Sequence, residues 1–155
     1  MTPEKLHLAL NHFVFLFPLA ALVPLIIGLV TKNRTTQISG VIIALIGALI
    51  TGVVMGSGED AYERYENGPI APLLDADAHD ALEHHEHVAH DWSKLLYLLA
   101  VVSITALLIA WKKQAWLPYA TIAVILFCVI AVAVGVYIAD SGGTIRRPDF
   151  RQSVD

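Results

Sequence analysis

The run Leu117–Ala139, LPYATIAVILFCVIAVAVGVYIA, is 23 residues long without one charged side chain. A helix needs about 20 apolar residues to cross about 30 Å of hydrocarbon, so this run is a membrane span by length and composition. Three comparable blocks precede it, at Leu6–Val30, Ile38–Gly56 and Trp92–Trp111. Together they explain a hydrophobic content of 56% and a mean hydropathy of +0.63 over 155 residues, too apolar for an ordinary soluble domain. The expected fold is all-α: a four-helix transmembrane bundle in a single integral membrane domain, residues 1–155. Its helices are expected over about 6–30, 38–56, 80–111 and 117–139, with an outer loop over about 57–91 and a tail over 140–155.

The first block is read as a retained helix and not as a signal peptide, because it is long, contains His12, Pro18 and Pro24, and lacks a small-residue cleavage site after it. Each proline removes an intrahelical hydrogen bond, so kinks are expected at Pro18 and Pro24. Cys128 is the only cysteine, which excludes an intrachain disulfide and a thiolate metal cluster within one chain.

Charge sets the expected orientation. Lys32 and Arg34 lie between helices one and two, and Lys112 and Lys113 between helices three and four, so both short connections should stay inside. The long connection carries ten of the 14 acidic residues and only Arg64 as a base, and it should lie outside with both termini. Arg146, Arg147 and Arg151 in the tail argue mildly against this, and the two basic turns outweigh them. For a bacterial chain this means a multi-pass protein of the inner (cytoplasmic) membrane with its histidine-rich side periplasmic.

Small residues recur every fourth position in helix two, at Gly40, Ala44, Ala48, Gly52 and Gly56, a smooth stripe that suits close helix packing or the approach of a flat cofactor. The outer loop opens acidic, turns at Gly68-Pro69, and from Asp75 becomes rich in Ala, Asp, Glu and His. Asp75 or Asp77 is expected to cap a helix through His79–His90 that continues into helix three, so the extracytoplasmic loop is partly helical. Ser141-Gly142-Gly143 is expected to break helix four.

All seven histidines fall at one end of this arrangement: His7, His12, His79, His84, His85, His87 and His90. Leu82, His85, Ala89, Trp92, Leu96 and Leu99 recur at steps of three and four, so His85 is the one histidine of its segment on an inward stripe. His84, His87 and His90 fit an exposed wet face or a surface zinc or copper site. His12 lies about 10 Å along the helix from Lys5, and an intramembrane histidine is costly unless paired. His7 and Asn11 share a face, whereas His12 points about 140° away from His7.

These positions suggest that His12 and His85 hold something between them. Haem b, bound without covalent attachment because there is no Cys-x-x-Cys-His motif, suits two facing histidines beside the glycines Gly52 and Gly56. His7, Asn11 and Glu59 would then orient the imidazoles or bond propionates, and Arg146 would meet a propionate. The resulting expectation is a small b-type cytochrome-like subunit that passes electrons at the periplasmic side of a larger complex. Its partners would be the lipid bilayer, other membrane subunits or a periplasmic electron carrier, and no nucleic acid. A non-redox metal-handling protein with zinc, copper or iron on His7, His12, Glu59 and His85 is the alternative, and a purely structural accessory subunit the third. An enzyme acting alone is the least expected, because no nucleophile–base constellation stands beside these groups.

The same residues carry a resemblance. His7 with Asn11-His12-Phe13, Thr51-Gly52 with Gly58-Glu59-Asp60-Ala61, His85-Glu86-His87-Val88-Ala89 and Gly142-Gly143-Thr144-Ile145-Arg146 resemble, in order, the motifs of a bacterial four-helix membrane family, domain of unknown function 2231. The likeness runs over nearly the whole chain and departs at Phe15 and at Arg147, where the family tends to carry proline and histidine. It implies the four-helix fold and draws attention to His7, His12, Glu59 and His85, and it implies no activity.

Overall fold

In the computed structural model, which describes residues 1–68, 75–145 and 147, the chain is all-helical. Its elements are α1 (Pro3–Leu10), α2 (Phe13–Val30), α3 (Arg34–Glu66), α4 (Ala76–Lys112), a 3₁₀ turn at Gln114–Trp116, and α5 (Leu117–Gly143). With α1 and α2 taken as one rod, four helices are long and apolar enough to cross a membrane. They form a square in which α2 neighbours α3 and α5, and α4 neighbours the same two. The interior is built from Leu25, Val41, Leu99, Val124 and Cys128 with small residues between them, while Val23, Leu49, Val101 and Leu126 stand exposed on the outside. Apolar side chains on the outer surface of every helix belong in lipid, and the fold is that of a multi-pass membrane protein.

Aromatic residues mark both ends of the lipid-facing band. Trp92 and Trp111 are exposed on α4, nineteen residues or about 28 Å apart, close to the hydrocarbon thickness. Trp92 packs edge-on against Tyr137 of α5, and Lys112 sits 5.5 Å over the Trp111 ring at the opposite end. At that basic end the α2–α3 turn closes with Lys32 at φ 54°, and Asn33 N–H bonds back to the Gly28 carbonyl at 2.9 Å. Buried Gln37 then ties three helices, donating to the Gly28 carbonyl of α2 and accepting from Thr121 of α5 at 2.8 Å. Arg34 donates to the Ala110 carbonyl at the end of α4, supplying a partner that the terminating helix lacks.

Several element bounds differ from those expected. The first span is broken at Asn11-His12, whereas Pro18 and Pro24 both lie inside α2. The break retains helical dihedrals and separates a short amphipathic α1 from an almost uniformly apolar α2. Helix α3 starts at Arg34 and runs to Glu66 and does not stop at Gly56, because Ser57 and Ala61 stay buried and α1 packs along the extension. Helix α4 starts at Ala76, capped by the Asp75 carboxylate accepting from Ala78 N–H, so most of the expected outer loop is helix. Ser141-Gly142-Gly143 forms the last turn of α5 and does not interrupt it.

The stripe of α3 also divides. Steps of four drift by about 40° each, which puts Gly52 about 120° and Gly56 about 160° from Gly40. Gly40, Ala44 and Ala48 are accordingly buried, while Gly52 and Gly56 are exposed with nothing near the position of an added Cβ. The packed seam alternates threes and fours through Gly40, Ala44, Gly47, Thr51, Val54, Ser57 and Ala61. At Gly47 a Cβ would stand 2.6 Å from Phe17 Cβ and 2.9 Å from Pro18 Cδ, neither of which can move aside. Gly47→Val should therefore destabilise the bundle by about 1–3 kcal/mol, seen as a lower unfolding midpoint in detergent, while Gly52→Val changes it little; equal sensitivity at the two sites would contradict this packing.

Candidate functional site

Two imidazoles meet at the end opposite the basic turns. His7 on α1 and His85 on α4 have ring centroids 6.3 Å apart and planes inclined at 79°. His7 Nδ1 lies 3.0 Å from the Val54 carbonyl of α3, an atom that can only accept, so the ring donates from Nδ1. His85 Nδ1 lies 2.8 Å from Ser141 Oγ on α5. Ser141 spends its single hydroxyl proton on the Ile138 carbonyl at 2.7 Å, so its oxygen accepts and His85 also donates from Nδ1. In the neutral form both rings keep their lone pair on Nε2, the tautomer that a hydrogen-bonded metal ligand adopts.

Glycines make the seats for both rings. A Cβ on Gly58 would stand 2.9 Å from His7 Nδ1, and one on Gly142 would stand 3.1 Å from His85 Cε1. Each imidazole thus rests against a helix backbone that only glycine exposes so closely. Beside them, Arg64 Nε donates to Glu4 Oε1 at 2.7 Å and joins α1 to α3. Asn11 Oδ1 is buried at the α1–α2 break without a hydrogen-bond partner among the described residues.

The remaining expected site residues are spread around this pair. His12 is exposed, with its ring against Phe15 at 5.9 Å, and the half-turn that separates it from His7 directs it away from the His7–His85 contact. Glu59 is exposed and lines an open groove of ≈ 570 Å³ with Tyr62, Glu63, Glu66 and Glu86. Gly52 and Gly56 face outward, away from the rings, and Arg146 lies outside the described residues. His84, His87 and His90 are exposed, with His87 in loose pairs to Glu83 at 3.9 Å and Glu86 at 3.8 Å, contacts that contribute little in water. Among the described residues no three His, Cys, Asp or Glu side chains gather closely enough to hold a metal ion, so His7, His12, Glu59 and His85 do not form one cluster.

Sequence reasoning singled out His85 and His7 but coupled His85 to His12. Ser141 was read as part of a helix stop, and its role as the acceptor for His85 depends on the register of α5 against α4, which no local spacing reveals. Gly58 and Gly142 stood in conspicuous motifs, and their use as ring seats emerges only from the packing. No family model, no curated protein and no solved structure matches this chain.

The proton accounting is directly measurable. In ¹⁵N spectra recorded in mildly alkaline solution, His7 and His85 should both show protonated Nδ1 and unprotonated Nε2. Ser141→Ala should convert His85 to a tautomer mixture and leave His7 unchanged; a protonated Nε2 on either ring in the unaltered protein would contradict the assignment.

Proposed function

We propose that this chain is a small haem-binding subunit of a membrane electron-transfer complex, with His7 and His85 as the two axial ligands of a b-type haem. The observation that carries the reading is the pair of imidazoles that meet at this end, each held through Nδ1. The two rings stand 6.3 Å apart between centroids with their planes inclined at 79°. A haem supplies four of its iron's six ligands and asks the protein for two, which is the number found together here. When bound, it would supply one-electron exchange.

The chain's own residues have definable tasks in this reading. The Val54 carbonyl and Ser141 Oγ orient the rings and fix the tautomer. Gly58 and Gly142 set how far each ring recedes into the helix walls. The pair lies about 10 Å beyond the Trp92 belt, counted from His85, so an electron would enter at the membrane surface and not at its centre. Lys32, Arg34, Lys112 and Lys113 at the far end favour a cytoplasmic placement of that end, which makes the histidine end periplasmic in a bacterial inner membrane. A periplasmic carrier or a neighbouring membrane subunit would then exchange electrons with it. The likeness to domain of unknown function 2231 is compatible with this reading and rests on the quoted motifs alone.

The alternative of non-redox metal handling is narrowed by the same donor count. Zinc takes three or four protein ligands, whereas cuprous copper, a soft ion, is satisfied by two imidazoles.

The test is an absorption spectrum of detergent-purified protein, air-oxidised and then dithionite-reduced. The expected result is a Soret band with sharp reduced α and β bands, lost in His7→Ala and His85→Ala and retained in His12→Ala. Loss in His12→Ala with retention in His7→Ala would transfer the ligand role to His12. Protein that remains colourless after reconstitution with haemin would overturn the haem reading, and binding of one cuprous ion per chain would establish the alternative.

A further inference from the structure

The element that carries His7 is a short helix docked on the side of α3. Helix α1 has eight residues, none of them buried, and it packs mainly on the extension of α3. Its eight residues run into α2 through Asn11 and His12, which keep helical dihedrals, and it lies against α3 by docking. Among the described residues, side-chain bonds tie it to α3 from His7 to the Val54 carbonyl and from Glu4 to Arg64. The Glu4 side chain is 13% exposed and the Arg64 side chain 39%, so the ion pair is partly shielded from water. Asn11-His12 joins α1 to α2, and Asn11 Oδ1 is buried there without a hydrogen-bond partner among the described residues.

We propose that Glu4 and Arg64 are positioning residues that latch α1 onto α3, and that releasing the latch swings His7 away from His85 about the Asn11-His12 break. Arg64 also lines the acidic groove among Glu59, Glu63, Glu66 and Glu86. It therefore has other carboxylates to turn to when Glu4 departs, which gives the arm two states and not merely a frayed one. The inference deepens the proposed site and rests on His7 being one of its ligands. In the closed state both imidazoles are presented together, and in the open state only His85 remains.

The test follows hydrogen exchange of the amides of residues 3–10 in the full-length protein, as purified, for the unaltered chain, Glu4→Gln, Arg64→Gln and Arg64→Lys. Loss of the latch should accelerate exchange in α1 by about tenfold or more while α2–α5 keep their protection. Arg64→Lys, which keeps the charge, should fall between the unaltered chain and Arg64→Gln. In haem-loaded protein the Gln variants should shift ferric haem from low-spin towards high-spin at unchanged haem content, as expected when one axial ligand is withdrawn. Unchanged α1 exchange in both Gln variants would overturn the latch whatever the spectra show. Accelerated exchange in a protein that takes up no haem would support the latch and locate the failure in the haem reading. Accelerated exchange in all helices alike would mean general destabilisation and would also overturn it.

Discussion

The histidine end of this molecule depends on a simple requirement: an imidazole N–H turned away from water must find an acceptor. His7 finds the Val54 carbonyl and His85 finds Ser141 Oγ, and these two bonds connect α1 to α3 and α4 to α5. Because Ser141 has already committed its proton to the Ile138 carbonyl, the direction of the second bond is fixed. The Nδ1 protons serve the fold, and in the neutral rings Nε2 keeps the lone pair. Glycine at 58 and 142 follows from the same demand, since each ring must approach a helix backbone to reach its acceptor.

The opposite end solves the same problem without titratable rings. Gln37 and Thr121 satisfy each other and the Gly28 carbonyl in the interior, and Arg34 reaches the end of α4. Between the two ends the bundle is held by close contact of small residues, as expected where lipid removes the hydrophobic drive for helices to associate. The paired imidazoles stand at one rim, where the helices project beyond the aromatic belt.

Most of the architecture was legible in the sequence, because long uncharged runs have few physical outcomes. The Asp75 cap and the inward position of His85 also followed from local rules, one from capping and the other from helical periodicity. The errors have equally definite causes. Gly52 and Gly56 were grouped with Gly40 by counting in fours, and the accumulated rotation carried them to the outside. The apolar block stops at Gly56, and the helix runs on to Glu66 because α1 docks along the extension. Depth along the helix points to His12, while its exposed place beside Phe15 follows from packing that a sequence does not display. The choice of His7 over His12 as the partner of His85 is therefore a tertiary result.

The most direct test of the account uses the angle between the two rings. Low-temperature electron paramagnetic resonance of the ferric haem-loaded protein should give a strongly anisotropic low-spin signal, as axial imidazoles with nearly perpendicular planes produce, in keeping with the 79° inclination of His7 to His85. A rhombic low-spin signal, which parallel imidazole planes give, or a high-spin signal alone would contradict ligation by this pair.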